Sequence, residues 1–229
     1  MIELRKQERK FARVAARYRE AFAQSDPAAL AILERVCLFR LGARADILAA
    51  IFLGEDKAEI SGPELAALSR EKLDAKLAKL VAMRLLETNQ ERSTKNQERT
   101  QFTIHPAIRD GFLNALDPAT AKRGHEAARQ GLEVALGGSP GKNPSDPAIL
   151  DLLEEIVHHT LAAGLVTEAY VDLHRNRLGG FENLGQRLGD YERGERICRA
   201  FAGGRSPTEL VAGTSIYEFT SKGSESGTE

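Results

Sequence analysis

Between Ser69 and Leu116 the hydrophobic period changes more than once, and few architectures accommodate the order in which it does so. Leu73, Leu77, Leu80 and Val81 recur at helical spacing, so Ser69–Leu86 is predicted to be an amphipathic helix with Ser69 as its N-cap. A polar run, Glu87–Thr100, follows. In Gln101–Ile104, Phe102 and Ile104 alternate with polar residues, as on a strand with one buried face. Pro106 then suits the first turn of another helix, because its missing N–H would have had no partner there. Ile108, Phe112 and Leu116 give that helix one apolar face.

Three dipeptides divide the rest of the chain. Asp26-Pro27, Asp117-Pro118 and Asp146-Pro147 each set a capping carboxylate before a proline. Residues 1–24 read as a basic amphipathic helix. Leu4, Phe11, Ala15, Tyr18 and Phe22 fall on one side, and Arg5, Lys6, Arg9, Lys10, Arg13 and Arg17 on the other. The basic side is expected to be a solvated face on a helix packed against the next domain. Within 26–116, Ala28–Leu41 carries a wide apolar face ended by Gly42, and Arg44–Leu53 is a second, short helix. Glu55–Leu68 connects them to Ser69 through Ser61-Gly-Pro63, with a helical turn at Glu64–Leu68. Within 117–202, Asp117–Leu136 is a helix and Gly137–Pro144 a linker. Ala148–Ala163 pairs with Val166–Leu178, and Phe181–Leu188 pairs with Tyr191–Phe201. The turns sit at Gly164 and Gly189, and the small residues Ala169 and Gly194, five positions on, are expected to allow close helix approach. Residues 203–229, rich in Gly, Ser, Thr and Glu, are expected to be disordered.

The fold class that follows is mainly α. A winged-helix domain with a small β-hairpin wing, Leu85–Thr88 against Gln101–Ile104, precedes α-helical hairpins of tetratricopeptide-like type. The 25-residue offset between the hairpin turns is shorter than the roughly 34 residues of a standard tetratricopeptide repeat. The third helix of a DNA-binding winged helix enters the major groove. Its outer face here would present Arg70, Lys72, Lys76 and Lys79, with Arg92, Lys95 and Arg99 on the wing. Base edges are read mainly by Arg, Asn and Gln, whereas this face is lysine with Glu71 and Asp74 interleaved, which favours a protein contact over DNA. The formal net charge of -1 excludes a chain that is basic as a whole.

No arrangement of residues points to catalysis, and no cofactor or metal is expected. Neither Cys37 nor Cys198 lies in a C-x-x-C, and both are expected to be free thiols in a reducing cytoplasm. Gly141-Lys142 lacks the earlier glycine and the following Ser or Thr of a phosphate loop, where Leu136 and Asn143 stand. His158 and His159 are adjacent, so they point about 100° apart on a helix and cannot act as an H-E-x-x-H pair. Either could instead meet Glu154 or Glu155 one turn away, and His105 is expected to hydrogen-bond at the wing's end. There is no signal peptide and no run of about 20 apolar residues, so a membrane location is not expected.

Three stretches carry a family resemblance: Ile32–Phe39 (Ile-Leu-Glu-Arg-Val-Cys-Leu-Phe), Leu77–Leu86 and Phe102–Asp110. In this order they resemble the winged-helix region of STAND-class signalling ATPases. Glu154–Thr160 and Leu188–Gly194 resemble the start of the tetratricopeptide-like repeats that follow it in that family. The sequence contains neither the phosphate loop nor the acidic metal-binding strand of the nucleotide-binding domain. The resemblance therefore implies a non-enzymatic regulatory module, a fragment or split part of such an ATPase. Its partner would be a protein, a nucleotide-binding signalling protein in the first place, with a DNA-binding transcription regulator as the alternative. An uncapped repeat end would expose an apolar face, with Tyr191, Ile197 and Phe201 as its partner or self-association surface.

Overall fold

Helix starts are set by side chains that accept otherwise orphaned N–H groups. Asp26 accepts from Ala29 at 3.2 Å, Asp117 from Thr120 at 2.9 Å, Asp146 from Ala148 at 2.9 Å and Asp190 from Arg193 at 3.2 Å. Proline follows the first three. In the computed structural model the backbone is described for residues 2–92, 98–138 and 141–203, and side chains for 11–89, 100–106, 108–138 and 141–203. Lys95 and residues 204–229 lie outside the described residues.

The chain is mainly helical, with one small antiparallel sheet. Helix α1 (Ile2–Ser25) lies along α7 (Pro106–Leu113) and against α2 (Pro27–Val36). It buries Ala15 and Phe22. After β1 (Ala43–Arg44) come α3 (Ala45–Phe52), the short helices α4 (Ala58–Ser61) and α5 (Pro63–Ala66), and α6 (Arg70–Ala82). Strands β2 (Glu87–Arg92) and β3 (Glu98–Thr103) complete a sheet of order β1-β3-β2. Gly42 leads into it at φ +96°, where a Cβ would stand 2.6 Å from the Phe102 carbonyl oxygen. Leu33, Phe39, Phe52, Leu73, Leu77, Leu80, Leu86 and Phe112 fill the core beneath. The apolar period of α6 faces inward as its spacing dictates.

Helices α8 (Pro118–Leu136) and α9 (Pro147–Ala162) pack along one another, and α8 also reaches α3 and α4. Beyond Gly164, α10 (Val166–Glu168) continues into a π-helical segment, Ala169–Arg177, that folds back on α9. A second π-helical segment, Glu182–Arg187, leads to α11 (Tyr191–Phe201), which also packs on α9. Wider winding shows in the Leu178 N–H bond to Leu173 and that of Leu188 to Asn183, both five residues back.

Several boundaries differ from the sequence expectation. Helix α2 stops at Val36, not Leu41, because Leu38 and Phe39 tighten the last turn by bonding to the carbonyls of Arg35 and Val36. Residues Cys37–Leu41 form an irregular strap, with Cys37, Leu38 and Phe39 buried. Its polar groups are met from elsewhere: Arg109 Nε donates to the Cys37 carbonyl at 3.0 Å, and the Leu41 N–H donates to the Glu155 carboxylate. Strand β1 is two residues long, too short to leave a period. The run expected as a polar hairpin tip is largely paired, with Gln90 opposite Thr100, Glu91 opposite Arg99 and Arg92 opposite Glu98. An antiparallel pair tolerates polar residues on both faces where one faces water. Gly194 is not a close-approach site, since nothing lies within 4 Å of a Cβ placed there.

Candidate functional site

The outer face of α6 is largely engaged with its own protein. Lys76 Nζ lies 2.5 Å and Lys79 Nζ 3.0 Å from the two oxygens of Asp26, the N-cap of α2. Burial works against the Asp26 carboxylate, but the Lys76 and Lys79 hydrogen bonds outweigh it and hold its pKa below the usual value. Arg70 pairs with Asp74 at 3.0 Å, one turn on. Lys72 is exposed. Arg92 and Arg99 lie on the paired strands, their side chains outside the described set.

At the other end, the expected surface of Tyr191, Ile197 and Phe201 does not come together. Tyr191 is 63% exposed, but Ile197 is 1% exposed because α11 folds its apolar ridge onto α9. Phe201 is half-buried and stands edge-on to Tyr170 and to His174, with ring centroids 5.8 Å away in each case.

The densest polar chemistry lies between these surfaces, where α8, α9, α11 and the strap meet. Glu154 on α9 is 1% exposed. Its Oε1 accepts from Arg40 at 2.8 Å and Arg196 at 2.8 Å, and its Oε2 from Arg193 at 3.1 Å and Arg196 at 3.0 Å. Arg193 is itself buried and also holds Asp151 and Asp190, each at 2.8 Å. One carboxylate thus joins the strap to α11 through α9.

Its neighbour Glu155 faces a different set. It accepts the Leu41 N–H, and its Oε2 lies 3.8 Å from His159 Nε2, which it reaches from one turn back. His159, fully buried, faces His125 of α8 with the two Nδ1 atoms 2.8 Å apart. His158 stands edge-on to His125 at a centroid distance of 5.6 Å, and Phe39 edge-on to His159 at 4.8 Å.

Only one of the two facing Nδ1 atoms can carry the shared proton in a neutral pair. The acceptor Glu155 beyond His159 Nε2 favours a proton on that nitrogen. His159 Nδ1 then accepts, and His125 Nδ1–H donates. Burial lowers the His125 pKa to about 4, aided by the Arg109 charge, and lowers that of His158 to about 3, aided by His125 and Arg40. Burial, with His158 and His125 beside it, holds His159 well below its ordinary value. Burial pushes Glu155 up to about 7 against the Leu41 N–H and the Arg40 charge. The seam couples one hydrogen-bonded pair of neutral imidazoles to a neighbouring buried carboxyl held by the strap, an arrangement suited to fixing how helices meet.

Helical spacing pairs His158 or His159 with a glutamate, whereas the ring that faces His159 is His125. A signal was present: His125 shares a helical face with Ala128 and Leu132, both buried. His105 stacks on Phe11 at 6.0 Å. Cys37 is buried and Cys198 exposed, both are free, and burial raises both thiol pKa values. Among the described residues no cluster of three or more His, Cys, Asp or Glu is arranged to hold a metal ion, and no helix is long and apolar enough to cross a membrane. Comparison with protein-family models, with curated proteins and with solved structures finds no match.

Proposed function

We propose that the chain is a non-enzymatic regulatory and protein-interaction module: a winged-helix unit followed by tetratricopeptide-like hairpins, acting with a STAND-type signalling ATPase as a fragment or split part of it. The element order α2, β1, α3, α6, β2, β3 and the sheet order β1-β3-β2 support the winged-helix reading. The pairing of α9 with the Ala169–Arg177 segment and of the Glu182–Arg187 segment with α11, with α8 and α11 both packed on α9, supports the helical-hairpin reading. The free thiols suit a cytoplasmic setting.

The observation that carries protein contact over DNA is the Asp26 carboxylate. It takes both Lys76 and Lys79, two of the three lysines on the outer face of α6 that a DNA reader would leave free for phosphates or bases. A salt series of duplex DNA binding by fluorescence anisotropy tests this. Weak binding, unchanged in a Lys76→Ala/Lys79→Ala variant, is expected. Tight binding that falls steeply with salt and is lost in that variant would establish the transcription-regulator alternative.

A further inference from the structure

A cleft of about 540 Å³ opens between α9, α11 and the strap. Arg40 reaches its wall from the strap, Arg196 and Arg199 from α11, and His158 from α9. Leu161 and Ala200 supply apolar lining. Among the described residues no carboxylate lines it. The nearby acids sit behind or beside the wall. Glu154 is 1% exposed and is shared by Arg40, Arg193 and Arg196, while Glu195 pairs with Arg199 at 2.6 Å, both side chains largely in solvent. Each guanidinium has five N–H donors, so one shared carboxylate leaves many of them unused. The Arg199–Glu195 pair is an exposed contact of a kind that yields readily to a competing anion.

The second observation is His158. Its Nε2 is shut off from solvent and has no hydrogen-bond partner, although the ring forms part of the cleft wall. Buried polar atoms are nearly always satisfied, so an orphan beside a cleft marks a place for a polar group from outside.

We propose that this cleft binds a small phosphate monoester with an apolar body. Guanidiniums arriving from two separate elements suit a tetrahedral oxyanion with three terminal oxygens, whereas a planar carboxylate offers two. A phosphate monoester has its second pKa at about 6, so part of the population keeps a P–O–H near neutral pH. The His158 Nε2, shut off from solvent in the ligand-free chain, would accept from that hydroxyl once the ring turns toward the cleft as the phosphate enters. Leu161, Ala200 and the arginine stems receive the apolar body. The ligand would bridge the strap and α11, tightening the contact between the sheet-bearing half and the helical hairpins. The inference goes beyond the interaction-module reading, which requires no small ligand, and its test does not depend on any protein partner.

The test is a titration of the full chain with phenyl phosphate, orthophosphate, benzoate and sodium chloride at matched ionic strength. Binding is followed by calorimetry and by the His158 ring signals in NMR. Saturable binding of phenyl phosphate is expected, about tenfold tighter than benzoate or orthophosphate, with a shift of the His158 signals. An Arg199→Gln variant should lose about tenfold in affinity while melting at the wild-type temperature, since Arg199 is exposed and pairs with Glu195 alone. A His158→Asn variant, read against its own melting curve, should also bind more weakly. Equal responses to phenyl phosphate and sodium chloride would overturn the proposal. So would tighter binding of benzoate, or unchanged affinity in Arg199→Gln.

Discussion

His125 and His159 meet Nδ1 to Nδ1 at 2.8 Å in the buried seam between α8 and α9. A pair of this kind is stable only while one ring donates and the other accepts, so both imidazoles cannot be charged at once, and the burial of both rings favours the wholly neutral pair. The seam continues through Glu155 to the Leu41 N–H, and so fixes the helical hairpins against the strap below the sheet.

Removing one ring should cost more than removing both. His159→Leu strands the His125 Nδ1–H, and should destabilise by about 1–3 kcal/mol. The His125→Leu/His159→Leu double variant should cost clearly less than the sum of the single variants, because no donor faces an apolar wall. Urea unfolding of the four proteins measures the coupling; strict additivity would show that the two rings do not interact.

Acid should weaken the fold early. The three histidines have folded pKa values below their unfolded value near 6.5. Their contribution is therefore complete above that value and is lost as pH falls toward about 4 and about 3. Glu155 acts in the opposite sense. Its folded value of about 7 lies above the unfolded one, so its contribution is present in acid and is lost as pH rises through neutrality. Near pH ~5.5 unfolding should take up more protons on these histidines than it releases from Glu155, so stability rises with pH there. Denaturation midpoints measured from about pH 5 to 7.5 should rise to a maximum near neutrality. A flat profile would contradict the buried neutral seam.

Glu154 should be among the most sensitive surface-distant carboxylates. Glu154→Ala removes the carboxylate that Arg40 and Arg196 share, while the buried Arg193 keeps Asp151 and Asp190, and should cost about 1–3 kcal/mol. Arg199→Ala, one turn from Arg196 but exposed, should change stability by less than about 0.5 kcal/mol. Thermal melts of both variants check the contrast.

Asp26 combines two roles that one substitution separates. Asn is as good an N-cap as Asp, so Asp26→Asn should keep the Ala29 bond and lose only the Lys76 and Lys79 attraction, costing under about 1 kcal/mol. Asp26→Ala loses both and should cost about 1–2 kcal/mol more than Asn, by chemical denaturation.

Two helical glycines should respond with opposite signs to alanine. A Cβ at Gly131 would stand 2.2 Å from Ile51 Cγ1, so overpacking at the α8–α3 contact should outweigh helix propensity and cost about 1–3 kcal/mol. At Gly194 nothing lies within 4 Å, and alanine should stabilise by up to about 1 kcal/mol. Melting temperatures that move the same way would refute the packing at α3.

The sequence disclosed helices where caps and apolar period agree, as at Asp117–Leu136 and in the apolar stripe of α6. It concealed β1, because two residues carry no alternation, and the end of α2, because Cys37–Phe39 stay apolar after the helix has stopped. Pairing of Gln90 with Thr100 left no hydrophobic trace either. The histidine seam was half legible. Adjacent His158 and His159 were visible, but the partner that gives His159 its role lies 34 residues away on another helix. The surface drawn through Tyr191, Ile197 and Phe201 failed because the direction in which α11 folds back is a tertiary fact.

The central claim, that this chain works through a protein partner, is tested most directly by affinity capture from the source cell with the full chain as bait. Mass spectrometry and nucleic-acid staining then read the eluate, with the heat-denatured chain as the misfolded control. Enrichment of a nucleotide-binding ATPase over that control is expected. Recovery of duplex DNA that washes off with salt, and no enriched ATPase, would contradict it.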